Sequence, residues 1–259
     1  MNAVSPRIWP TRRARALAVA LGLLLVPLAP VIAGDACPDT AMPRIELPHL
    51  RSAVAHGIEG VIVALGSSST QGAMASDLAH TYPAVLQQAL TTGLPQAHIA
   101  VINRGKGGQD ASEELARLDT DVLALRPQLV IWQVGANGAL RNVDPAIFRE
   151  MVATGVRRLQ AAGADVILMD NQQAPRLLEK PDEPLFDQSL AQVATETGAS
   201  LFSRRTLMQG WRREGAPISE FIAADGLHHN DHGYLCVAEA LSRSILAGLT
   251  PGRPLTASR

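Results

Sequence analysis

The sequence predicts one doubly wound α/β domain, because short apolar runs alternate with helix-like stretches and each run closes on a loop of small residues. The runs are residues 61–65, 99–103, 129–134, 166–170 and, less sharply drawn, 200–203. The first four are rich in Val and Ile and nearly continuous, as parallel strands covered on both faces require. Helices are predicted between and after them, over residues 77–92, 111–125, 145–162, 185–197 and 233–248. Asp144 followed by Pro145 is a helix start with an N-cap and a proline at the first helical position, and Gly163 stops that helix. In such sheets function gathers in the loops at the C-terminal edge of the strands.

The chain has 259 residues, 47% hydrophobic and 18% charged, which suits one domain with a full core. Aromatic residues make up only 3%, so ligand binding by ring stacking is disfavoured. Arg7, Arg12, Arg13 and Arg15 form a basic start, followed by an apolar run over residues 16–29 that is too short and too interrupted by proline to span a membrane comfortably. Val31-Ile32-Ala33 then offers short residues at a cleavage point, so residues 1–33 read as a secretory signal and the mature chain as exported, periplasmic or secreted. An uncleaved anchor is the alternative, against which Pro27 and Pro30 argue. Thr11-Arg12-Arg13 also resembles a twin-arginine signal.

Residues 34–57 form a Pro-rich lead-in, residues 58–249 the folded domain, and residues 250–259 a disordered tail. Removing residues 1–33 takes away four arginines and no acid, so the net charge falls from −1 to −5. That balance, with no basic stretch, excludes nucleic acid as a partner. Cys37 and Cys236 are an even pair in an exported chain, and a disulfide between them would tie the lead-in to the last helix.

Four loops carry the candidate chemistry. Gly66-Ser67-Ser68-Ser69-Thr70-Gln71-Gly72 follows the first strand and admits three readings: a phosphate cradle, an exposed nucleophile, or an ordinary polar turn. The lysine of a P-loop is missing, since Ala73 follows Gly72. Asp225-Gly226-Leu227-His228 offers a base and, three residues earlier, a carboxylate to orient it. His228 and His232 stand four apart, so a metal site drawing on His228, His229 and His232 is a lower-ranked alternative. The glycine-rich loop 103–110 can aim backbone N–H groups at a ligand, and Asn137 presents a side-chain amide. Asn137-Gly138 is equally a plain turn signal.

Taken together in order, these loops resemble the SGNH (GDSL-type) hydrolase family over roughly residues 58–248. Gly66-Ser67-Ser68-Ser69-Thr70 is similar to its GDSxT block, Asn103-Arg104-Gly105 through Gly108 to its second block, Gly135-Ala136-Asn137 to its GxN block, and Asp225-Gly226-Leu227-His228 to its DxxH block. Two positions depart from the pattern, Ser67 and Gly138, where the family usually has Asp. His229 stands where Pro is frequent and is expected to bring a second imidazole to the pocket rim.

The resemblance implies a flavodoxin-like three-layer α/β/α sandwich with a five-stranded parallel sheet in the order 2-1-3-4-5 and a shallow site. It implies hydrolysis of esters or thioesters without cofactor or metal, with Ser68 as nucleophile, His228 and Asp225 as base and orienting partner, and Ser68, Gly108 and Asn137 as oxyanion donors. With a base that must be neutral, the rate is expected to rise with pH through about 6.5, the reference value for imidazole. Export favours O-acetyl groups on a polysaccharide as substrate, with short-chain or lipid acyl ester (or thioester) hydrolysis next. A non-catalytic glycan-binding module of the same fold is the alternative outside enzymes.

Overall fold

The computed structural model describes Met1 and residues 36–250; the expected signal over 1–33, apart from Met1, and residues 251–259 of the tail lie outside the described residues. In chain order the elements begin with α1 (Pro48–Ala55), β1 (Gly60–Gly66), α2 (Ser68–Gln71), α3 (Tyr82–Gly93) and β2 (Ile99–Gly105). Next come α4 (Ala111–Ala116), α5 (Leu118–Asp121), β3 (Leu129–Gln133), α6 (Ala136–Leu140), α7 (Pro145–Ala161) and β4 (Asp165–Met169). The domain closes with α8 (Pro175–Leu178), α9 (Glu183–Thr197), β5 (Ser200–Phe202), α10 (Arg204–Arg213) and α11 (Asp231–Leu249).

The five strands are parallel and lie in the order β2-β1-β3-β4-β5, with helices on both faces. On one face α3 packs on α11; on the other, α7 packs against α4 and α9. β3 and β4 are buried along their whole length, which accounts for their unbroken apolar runs, whereas β2 at the sheet edge is half-exposed. The register pairs Gly66 with Gly105 on one side and with Gln133 on the other, and Gln133 with Met169. Four strands therefore end level, and their loops leave from one edge.

The lead-in is built into this body. Ile45, Leu47 and Leu50 are buried in the core, and Asp165 at the start of β4 accepts from the His49 and Leu50 amides at 3.3 and 2.9 Å. Asp165 thus supplies the cap that Leu47 cannot give α1. Cys37 and Cys236 are joined, with Cα atoms 5.2 Å apart, fixing the start of the lead-in to α11.

The helix expected over 111–125 is interrupted. α4 opens on a capping box formed by Asp110 and Glu113, but Arg117 leaves the helical path, and α5 and a 3₁₀ turn over Leu123–Leu125 follow. The cause is the Arg117 side chain, which turns inward to Gly66 O and Gln109 Oε1, at 3.0 and 2.6 Å. Likewise the helix expected over 77–92 begins as a 3₁₀ turn capped by Asp77, and α3 starts at Tyr82.

Candidate active site

β1 delivers the chain to Gly66, and α2 begins two residues later at Ser68. A side chain at 66 would lie 2.3 Å from Thr70 Oγ1 and 2.8 Å from Gln133 O, so only glycine permits this tight exit from the strand. Gln133, at the level end of β3, pins the turn: its Oε1 accepts from Ser67 N, Ser67 Oγ and Thr70 Oγ1 at 3.3, 3.3 and 3.2 Å. Ser68 is consequently the first residue of a one-turn helix, with an amide that has no intrahelical acceptor and a half-exposed side chain.

Ser68 Oγ lies 2.7 Å from His228 Nε2 across 160 residues of sequence, and His228 Nδ1 lies 2.5 Å from Asp225 Oδ2. The other Asp225 oxygen accepts from the Leu227 and His228 amides, both at 3.0 Å, closing a turn around the carboxylate with Gly226 in the left-handed region at φ +66°. Partial burial works against the Asp225 charge, but the hydrogen bonds from the His228 ring and from these two amides outweigh it and hold the carboxyl below its ordinary value. An ionised Asp225 keeps the proton on Nδ1, which leaves Nε2 as the acceptor facing the Ser68 hydroxyl. Immediately afterwards Asn230 caps α11 by accepting from the Gly233 amide at 2.9 Å.

The second loop closes on Ser68 from the other side. A side chain at Gly105 would lie 2.1 Å from Gln71 N, and the Gly107 amide donates to Gln71 Oε1 at 2.8 Å. Gly108 follows at φ +81°, exposed, and its N–H makes no hydrogen bond among the described residues. Asn137 lies in α6, and one N–H of its side chain donates to Gln109 O at 2.7 Å. An amide nitrogen carries two hydrogens, so this bond orients the second. Arg141 holds the loop from outside, donating to Gly108 O at 2.7 Å and to Asp110 at 2.8 Å. Ser68, Gly108 and Asn137 follow β1, β2 and β3 at this edge of the sheet, and the turn between α10 and α11 brings Asp225 and His228 to it through the His228–Ser68 contact.

Residues 34–251 match the non-GDSL lipase-like family. The chain belongs to that family. It is an ester-hydrolysing enzyme of SGNH type, and curated relatives agree. Esterase TesA of Pseudomonas aeruginosa is 26% identical over 161 residues, covering 62% of this esterase and 75% of the relative. The arylesterase of Vibrio mimicus is 23% identical over 200 residues, covering 76% and 94% respectively. A solved two-domain esterase active on acetylated mannans superposes with a TM-score of 0.69 at 22% identity, over 83% of this chain and 57% of that one. At that identity the likeness is one of fold.

The two departures from the usual motif have local causes. Ser67 is buried and spends its amide and hydroxyl on Gln133, the neutral partner found there. Gly138 is required by packing, since a side chain would lie 2.8 Å from the Phe186 ring.

The expectation for His229 needs correcting. It is 0% exposed, beneath the rim rather than on it, with Nδ1 3.1 Å from Phe221 O. Burial, then repulsion from Arg204, depresses its pKa to about 3, so the ring stays neutral. Nor do His228, His229 and His232 converge as a metal site. Among the described residues, the His/Cys/Asp/Glu atoms close enough to share an ion are those of Cys37, His232 and Cys236, and the two sulfurs are bonded to each other.

Sequence reasoning missed Gln133 and Arg117. Neither belongs to a recognisable motif; the available hint was a polar residue ending an otherwise apolar strand at 133.

Proposed function

We propose that this esterase hydrolyses carboxylic esters through an acyl-Ser68 intermediate. The observation that carries the reading is the continuous Asp225–His228–Ser68 hydrogen-bond line, with Nε2 2.7 Å from Oγ. His228 Nε2 takes the hydroxyl proton as Ser68 Oγ bonds to the acyl carbon. The oxyanion accepts from the Ser68 and Gly108 amides and from the second N–H of Asn137. The ester C–O bond then breaks, and the leaving alcohol takes the proton from His228. Water repeats the sequence: His228 accepts its proton, the acid departs, and Ser68 recovers its hydrogen. No cofactor enters any step.

Export of the enzyme is supported by the basic and apolar residues of 1–33 and by the Cys37–Cys236 bond, which suits an oxidising compartment. Among the described residues no helix is long and apolar enough to cross a membrane. For the substrate we favour O-acetyl groups on glycans. The exposed Gly107–Gly108 loop leaves room for a bulky alcohol, and the acetylated-mannan esterase shares the fold.

A longer acyl chain is the second reading, favoured by one observation. Met74 and Leu78, exposed at 50% and 81%, sit on the segment that joins α2 to α3 and is tied to the start of α11 through Ser76 and Asp231.

A fluorophosphonate probe tests the mechanism directly. Wild type should label at Ser68, and Ser68→Ala should neither label nor cleave p-nitrophenyl acetate while melting normally. A Ser68→Ala variant with full activity refutes the proposal. Comparing acetate release from acetylated glycan with cleavage of longer p-nitrophenyl esters separates the two substrates.

A further inference from the structure

The turn that carries His228 is almost self-contained. Ala223 N donates to His228 O, Gly226 N to Ala223 O, and the Leu227 and His228 amides to Asp225. Among the described residues, two hydrogen bonds besides the one to Ser68 join residues 225–228 to another element. The Arg176 amide donates to Gly226 O at 3.1 Å, and Gln172 Nε2 donates to Leu227 O at 2.8 Å. Gln172 lies on the segment between β4 and α8, and Arg176 in the first turn of α8.

Gln172 stands out because it is a side chain, 1% exposed, and because its Oε1 has no partner among the described residues. A buried amide with an orphaned carbonyl is costly, so the position retains a donor at the expense of an acceptor. The bond it makes lies on the peptide plane between Leu227 and His228. The N–H of that plane is held by Asp225 at 3.0 Å and its C=O by Gln172, so the plane that carries the His228 Cα is clamped on both sides.

We propose that Gln172 is a positioning residue for the catalytic base: by holding the Leu227 carbonyl it sets the tilt of the turn and the reach of His228 Nε2 to Ser68 Oγ. This rests on the serine–histidine reading of the site. The ionisable neighbours are Asp170 on the same segment, Arg176 in α8, Arg204 on α10, whose Nε donates to the Asp170 carbonyl, and Asp225, His228 and His229 of the turn.

The test compares wild type with Gln172→Met, of similar size without a donor, and Gln172→Glu, a donor only while protonated. The readouts are the rate of fluorophosphonate labelling at Ser68, and kcat and KM for p-nitrophenyl acetate. Because a displacement of about 1 Å costs on the order of 100-fold in rate, Gln172→Met should lower labelling and kcat by about 10- to 100-fold and leave KM within about twofold. Gln172→Glu, taken as a ratio to wild type at each pH, should approach wild type in acid, where its O–H serves the Leu227 carbonyl. The ratio should fall as the carboxyl ionises.

Labelling of Gln172→Met within about twofold of a wild type that itself labels overturns this inference alone. If Gln172→Met does not fold, the Gln172→Glu profile decides, and a ratio flat with pH overturns it. A wild type that does not label at Ser68 overturns the serine reading and this inference with it.

Discussion

The bond between Cys37 and Cys236 joins residues 199 apart in sequence, so breaking it should be among the costliest changes away from the site. A loop of that length removes about 5 kcal/mol of chain entropy from the unfolded state. The native side adds to the effect, because the lead-in that the bond secures buries Ile45, Leu47 and Leu50 against the core. The perturbation is the double replacement Cys37→Ala/Cys236→Ala, compared with the oxidised wild type by urea unfolding at equilibrium. With a slope of roughly 2–3 kcal/mol per molar urea, the midpoint should fall by about 2 M. A loss below about 1 kcal/mol would refute the reasoning, since it would mean that the unfolded chain is hardly restrained by the bond.

Asn137→Ala should lower kcat on p-nitrophenyl acetate by about 100- to 1000-fold with little change in KM, which steady-state kinetics will read. His229 should contribute to acid sensitivity: its folded pKa, about 3, lies below the ordinary imidazole value, so the stability it carries is whole above about 6.5 and is lost as pH falls towards 3. Each pH unit in that window costs about 1.4 kcal/mol, so the stability difference between wild type and His229→Gln should shrink by about 2 kcal/mol from pH 7.5 to pH 5, measured by urea unfolding. Parallel curves would contradict it. Gly138→Asp, which restores the usual motif residue, should lower stability by about 1–3 kcal/mol in thermal melts because it drives a side chain into Phe186.

The strands were legible because β1, β3 and β4 are buried on both faces, and burial leaves an apolar run in the sequence. α7 was legible from its caps, and Asp144 does accept from the Ala146 and Ile147 amides. α10 was missed because Arg204, Arg205, Arg212 and Arg213 dilute the apolar positions Leu207, Met208 and Trp211 that it buries. α6 was hidden by Asn137-Gly138, whose turn signal yields to packing against Phe186. At the site, Asp225 and His228 were readable because their partnership is local, within three residues. Gln133, Arg117 and Gln172 were not, since each acts through a contact more than 35 residues away and no local pattern encodes it.

Ser68, the nucleophile of the proposed mechanism, sits near the start of the domain, and His228, its proposed base, lies 160 residues later, just ahead of the last helix. A ribosome finishes the first strand and its serine long before the imidazole exists. Until that late turn docks, Ser68 is an ordinary alcohol, chemically silent toward esters. On the proposed mechanism, hydrolytic competence is therefore a property of the finished fold: a chain cut short before Asp225 lacks both the base and its orienting carboxylate.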